Sequence, residues 1–157
     1  MGAGSYTAHN SERRSSLVMK ENKYDNYFVS ECIRPKVESW GPVASGFFNM
    51  YKIAEVFPKA NVDGSGLYYT KPHVMVNTTH VHDFDEYLFF LGTNAEDIND
   101  FDARVELHMG EEGEKHIITS PTIVYVPARL VHCPLNFAVV NKPVLFFHVR
   151  EHSMERT

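Results

Sequence analysis

The sequence predicts an all-β protein, and three observations carry that expectation. Aromatic residues are plentiful, with eleven Phe, eight Tyr and one Trp in 157 residues. β-Branched runs such as Thr122-Ile123-Val124-Tyr125-Val126 accompany them, and both kinds of side chain pack well on a pleated surface. Short apolar runs recur between Gly, Pro and Asn punctuation, which is the pattern of a sandwich or barrel. A chain of this length fits one domain.

The elements follow in order. Residues 1–22 are rich in Ser, Arg, Asn and Glu and cannot bury enough surface to order alone, so they read as a flexible N-terminal arm. The pattern from Tyr24 to Val37 admits either a short helix or an extended segment. Phe47 to Val56 is apolar enough for a strand or a helix, with Gly46 and Pro58 as punctuation. Residues 60–65 read as a turn, followed by a strand over Leu67 to Val76, near which a barrel begins. Glu86 to Leu91 is a second apolar run, closed by Gly92-Thr93-Asn94 and an acidic, solvated loop over 95–102. Ala103 to Met109 alternates apolar with polar residues, the period of a strand with one buried face. Gly110-Glu111-Glu112-Gly113 then turns the chain into Lys115 to Thr119, making a hairpin. Ile123 to Val126, Phe137 to Val140 and Pro143 to Val149 supply three more strands. A polar tail over 151–157 ends the chain, so the ordered domain is expected over 23–150.

Composition excludes several classes of function. A net charge of -5, with cations scattered among acids, leaves no basic stripe for a nucleic acid backbone. The only cysteines, Cys32 and Cys133, form no C-x-x-C pair, so neither a disulfide framework nor a thiolate zinc site is indicated. The N-terminus lacks the apolar core of a signal peptide, and composition gives no sign of a membrane-embedded chain. A cytoplasmic protein is expected.

One constellation carries chemistry. His80-Val81-His82 puts two imidazoles at i and i+2, the same face of a strand, so both can converge on one point. Glu86 follows four residues later and returns to that point either by continuing the strand or through a tight turn at Asp83-Phe84-Asp85. His132, after the strand Ile123 to Val126 and a turn beginning at Pro127, can be aimed there from a neighbouring strand. Three imidazoles and a carboxylate suit a first-row divalent metal, with positions left for water or substrate. The alternative is a set of polar barrel residues bonded to one another.

These residues resemble the two motifs of the cupin superfamily. H-x-H, then E, then G stands here as His80-Val81-His82, Glu86 and Gly92, and P-x-G-x-x-H-x-x-x-N as Pro127, His132 and Asn136. The resemblance covers roughly residues 71–149. It implies a small double-stranded β-helix, or jelly-roll, barrel with a short N-terminal extension, and one metal ion held by His80, His82, Glu86 and His132. Val74 and Pro121 stand where the family's leading glycines fall, Arg129 replaces a turn glycine, and the gap from Glu86 to Gly92 is one residue short. Those departures touch turns rather than ligands.

Around the ligands, Tyr69, Lys71, His73, Phe90, Tyr125, Arg129 and His148 are candidate cavity-lining positions. Which face of Leu145-Phe146-Phe147-His148 points inward is not fixed by the pattern. Arg129 reads either as a clamp for a substrate carboxylate or as an exposed turn residue. Cys133 is expected on the face opposite His132, as a small buried hydrophobe. His9, His73, His108, His116 and His152 read as surface or loop residues, His73 being a lining candidate as well.

The implied function is that of a metal-dependent enzyme acting on a small oxygen-rich or aromatic substrate, with Fe, Mn, Ni, Zn or Cu as the ion. An oxygenase is the first expectation. Isomerase, lyase or hydrolase chemistry at a Lewis-acidic metal is the second, and a non-catalytic metal- or ligand-binding barrel the third. A homodimer is expected, because cupin barrels often pair through a sheet edge or an exchanged N-terminal strand.

Overall fold

The computed structural model describes residues 23–30, 32–35, 41, 43–50, 53, 56–57 and 59–152. The expected N-terminal arm, and all of the tail after His152, lie outside the described residues. A 3-10 turn over Asp25–Tyr27 precedes strand β1 (Ile33–Pro35), so the segment that admitted a helix or an extended run holds a little of both. Then come β2 (Val43–Asn49), β3 (Val62–Tyr69), β4 (His73–Val76), β5 (Asp85–Leu91), β6 (Ala103–Met109), β7 (Glu114–Ile118), β8 (Thr122–Val126), β9 (His132–Val140) and β10 (Val144–Glu151).

The strands form two antiparallel sheets, one ordered β1-β2-β3-β10-β5-β8 and the other β4-β9-β6-β7. This all-β, two-sheet arrangement agrees with the jelly-roll expectation. Alternation along each strand decides which side chains fill the interior. Leu88 and Phe90 of β5, Val105 and Leu107 of β6, Leu135 and Phe137 of β9 and Phe146 of β10 are all buried. Tyr69 and Phe137 stack with ring centroids 3.9 Å apart, and Phe146 meets Phe137 edge-on at 5.8 Å. These aromatics make an apolar floor inside the barrel.

Four sequence expectations change. Residues 60–65 are not a turn, because β3 starts at Val62 and runs through Gly64 and Gly66. Leu67 to Val76 is two strands in different sheets, parted at residues 70–72, where Pro72 lacks the N–H a continuous ladder needs. β9 begins at His132 rather than Phe137, and β10 extends to Glu151, so part of the expected polar tail is strand.

Candidate metal centre

The cluster is assembled from three places in the chain. His80 lies in the connection from β4 to β5, and an isolated bridge ties it to His132 at the start of β9. Glu86 is the second residue of β5, in phase with the inward-facing Leu88 and Phe90. A bulge sets His132: four residues of β9, from His132 to Leu135, lie opposite only three of β6, from Leu107 to Met109. Such an extra residue re-aims a side chain.

The turn before β9 is braced from both sides. Asp85 accepts hydrogen bonds from the Ala128 backbone N–H at 2.8 Å and from the Tyr125 hydroxyl at 2.9 Å. The Arg129 amide donates to the His82 carbonyl at 2.7 Å.

One ring nitrogen from each of His80, His82 and His132 lies within 4.8 Å of the other two. His132 is 2% exposed, and its Nδ1 donates to the Leu130 carbonyl at 3.0 Å, which leaves Nε2 with its lone pair toward the cavity. Burial lowers the pKa of His80 and of His82, favouring the neutral, metal-binding form. Burial also works against charge on His132, but the Glu86 carboxylate and the Leu130 carbonyl outweigh it and raise its pKa.

Glu86 lies beside the three rings, its Oε2 3.6 Å from His132 Nε2 and 3.8 Å from His82 Nε2. Its other oxygen, Oε1, accepts from His148 Nδ1 at 2.7 Å. Burial alone would raise this carboxyl, yet His132 and His148 bring it down to about 2, so it is ionised. The donor set fits a divalent first-row ion: neutral imidazoles, a buried carboxylate beside them, and at least one ring fixed from behind.

The cavity over the cluster measures about 180 Å³. Met75, Val76, Leu88, Leu135 and Phe146 form its apolar wall, while His148, Cys133 and Arg150 add polar groups. A second, larger hollow of about 400 Å³ opens beside β7 and β8, lined by Leu107, Ile117 and Val124 among others, and contains none of the cluster residues.

Of the seven candidate lining positions, the structure brings His148 to this cavity. Tyr69 and Phe90 are buried in the floor beneath it. Lys71 is exposed, and His73 stacks on Tyr69 at 5.9 Å. Tyr125 lies on the outer face of β8, bonded to Asp85. Arg129 is exposed and pairs with Asp83 at 2.9 Å, at the rim of the turn. His108 and His116 lie on the β6–β7 hairpin, and His152 pairs with Asp63 at 3.0 Å.

Cys133 differs from the expectation, because it lines the cavity beside His132. Its φ of 70° breaks the strand alternation that would have turned it away. Burial, with the nearby Glu86 charge, pushes its thiol up to about 12, so it is a neutral wall group and not a thiolate.

Sequence reasoning missed Arg150. Its Nε donates to Asp63 at 2.6 Å and its guanidinium lies over the Phe84 ring, 5.1 Å from the centroid, at the edge of the cavity. The signal was its even spacing from His148, invisible until the inward face of β10 was known.

No protein-family model matches the chain, and no curated protein matches it. Among solved structures it is similar to a cupin protein from Bacteroides fragilis, with a TM-score of 0.44 and 10% identity over 67% of this chain and 77% of that one. It is also similar to the iron(II) form of HppE, with a TM-score of 0.44 and 10% identity over 78% and 62% of the two chains. Vicilin from hazelnut, Corylus avellana, gives a TM-score of 0.49 and 14% identity over 82% of this chain, which spans 33% of the vicilin chain. On its own geometry, the chain is an all-β protein with two antiparallel sheets, consistent with a cupin jelly roll, and it carries a three-histidine group that could hold a metal. No helix among the described residues is long and apolar enough to cross a membrane.

Proposed function

We propose that this chain is a metal-dependent enzyme acting on a small oxygen-rich or aromatic substrate, with oxygenation as its reaction. The observation that carries the reading is the convergence of His80, His82 and His132, one ring locked by Leu130, beside the ionised Glu86. A bound first-row ion supplies open coordination positions and, where redox-active, electrons for oxygen chemistry. The three imidazoles and Glu86 hold that ion. Met75, Val76, Leu88, Leu135 and Phe146 give the reacting centre an apolar wall. A cavity of about 180 Å³ is smaller than the roughly 300–1,000 Å³ of pockets for drug-sized ligands, which favours a small substrate.

A second reading, isomerase, lyase or hydrolase chemistry at a Lewis-acidic metal, is favoured by His148. That imidazole lines the cavity and is the kind of group that moves protons. Oxygen consumption with a panel of small phenols and hydroxy acids, on protein loaded separately with iron(II), copper(II) and zinc(II), separates the two. Product with uptake of oxygen supports the first, product without oxygen the second, and tight retention of a ligand without product supports a non-catalytic binding barrel.

A homodimer is the assembly we propose. Phe147 stacks on Phe89 at 4.2 Å on the outer face of the larger sheet, and the exposed Ile123 pairs with Phe89 on edge strand β8. Such an apolar outer row is more costly to leave in water than an alternating polar one. A monomeric mass by light scattering at micromolar concentration would refute it.

A further inference from the structure

We infer that His148, anchored by Ser65, is a positioning residue that holds Glu86 as a one-oxygen ligand and so keeps one coordination position open for substrate. The inference rests on the metal-centre reading above. Its basis is a three-residue chain across the larger sheet: Ser65 Oγ to His148 Nε2 at 2.9 Å, then His148 Nδ1 to Glu86 Oε1 at 2.7 Å.

Register explains why these groups meet. His148 of β10 pairs directly with Ser65 of β3 on one side and with Leu88 of β5 on the other. Glu86 is therefore its diagonal neighbour on the same inward face, within reach of a long side chain. The neighbouring glycine lets β3 and β10 come this close, since a Cβ on Gly64 would collide with the His148 carbonyl oxygen. With both ring nitrogens engaged, the imidazole cannot rotate without breaking a hydrogen bond in a half-buried site.

The two carboxylate oxygens consequently face different ways. Oε1 is occupied at 2.7 Å, within the range of charge-assisted hydrogen bonds. Oε2 is the oxygen nearest the cluster, 3.6 Å from His132 Nε2 and 3.8 Å from His82 Nε2. A carboxylate free of His148 could turn both oxygens to the ion and fill a further position. A nucleophilic role for Ser65 does not suit the same chain of contacts, because Ser65 is not among the residues lining the cavity.

The test uses cobalt(II) as the probe ion with the full chain. Affinity is read by calorimetric titration and coordination by the visible absorption of the cobalt complex. Wild-type protein is expected to bind one ion. His148→Ala should bind about 10- to 100-fold more weakly, the usual cost of removing a group that orients a ligand, and with an altered cobalt spectrum. His148→Asn keeps a donor near the Nδ1 position and should recover much of both, while Ser65→Ala should weaken binding by a smaller factor. The asparagine and serine variants decide the matter if the alanine variant does not fold. Wild-type affinity and an unchanged spectrum in a folded His148→Ala protein would overturn the inference while leaving the metal centre standing, as would an unchanged Ser65→Ala alongside a His148→Asn that fails to recover. Failure of wild-type protein to bind cobalt(II) or any other first-row ion would instead remove the metal-centre reading itself.

Discussion

His80 and His132 exchange backbone hydrogen bonds in both directions: each N–H donates to the other's carbonyl, at 3.1 Å in each case. Two candidate ligands more than fifty positions apart in the chain are thus joined through their main chains before any ion arrives. Their rings lie with centroids 4.4 Å apart, edge to face. Such preorganisation lowers the ordering cost of binding.

The first test is elemental analysis of untagged protein beside the double variant His80→Ala, His132→Ala. Near-stoichiometric first-row metal is expected in the parent and a loss of nearly all of it in the variant. Equal metal content in both would refute the assignment of these ligands.

Acid should destabilise the metal-free protein in a definable window. The Glu86 carboxyl lies at about 2 in the fold against an ordinary 4.5. A depressed carboxyl contributes stability that is present above 4.5 and is lost as pH falls toward 2, here about 3 kcal/mol. His80 and His82, both lowered, begin the loss earlier, because the unfolded chain takes up their protons first as pH drops through about 6.5. His132, raised, opposes them: its contribution is present at low pH and fades as pH rises through its folded value. Urea midpoints measured from about pH 5 to pH 3 should fall steeply in the parent and less steeply in Glu86→Gln. Parallel slopes would count against the account.

Arg129→Gly should leave the protein as stable or raise its stability by up to about 1 kcal/mol. Arg129 adopts φ 69°, a left-handed conformation that penalises a Cβ. The pair it would give up, with Asp83, has side chains 80% and 79% exposed and contributes little. Thermal melting of the two proteins checks this, and a clear drop in midpoint would show that the arginine side chain has a further role.

Phe137→Ala should cost about 3–5 kcal/mol, the usual range for deleting a fully buried aromatic. Its ring is completely buried and packs against Tyr69, Phe146 and Phe90. Phe89→Ala, on the outer face and only half-buried, should cost distinctly less. Equal denaturation midpoints for the two variants would contradict the assignment of inner and outer faces.

The histidine cluster could be read before the structure because i, i+2 spacing on an extended segment leaves little freedom. His148 could be named only as a candidate and Arg150 not at all, because both parities of Leu145-Phe146-Phe147-His148 are apolar and alternation gives no phase. The glycines of β3 misled in another way: Gly64 and Gly66 look like turn residues, yet they let neighbouring groups approach closely, Phe48 and Phe147 at Gly66 and the β10 backbone at Gly64. Tyr69 and Phe90 read as cavity-lining candidates and do face inward, but each lies farther along its strand, packed into the aromatic floor. Cys133 lay beyond reach for a different reason, since a left-handed residue inside a strand has no signature in composition.

The cluster draws on both sheets: Glu86 belongs to the larger, His132 to the smaller, and His80 to the segment crossing between them. An ion held there would clasp the two layers, so filling the site and keeping the barrel shut would be a single equilibrium. Each tenfold excess of free ion over its dissociation constant would add about 1.4 kcal/mol to the folded state. Metal scarcity would then be felt first as a shorter lifetime of the chain in the presence of proteases, before any loss of turnover could be measured.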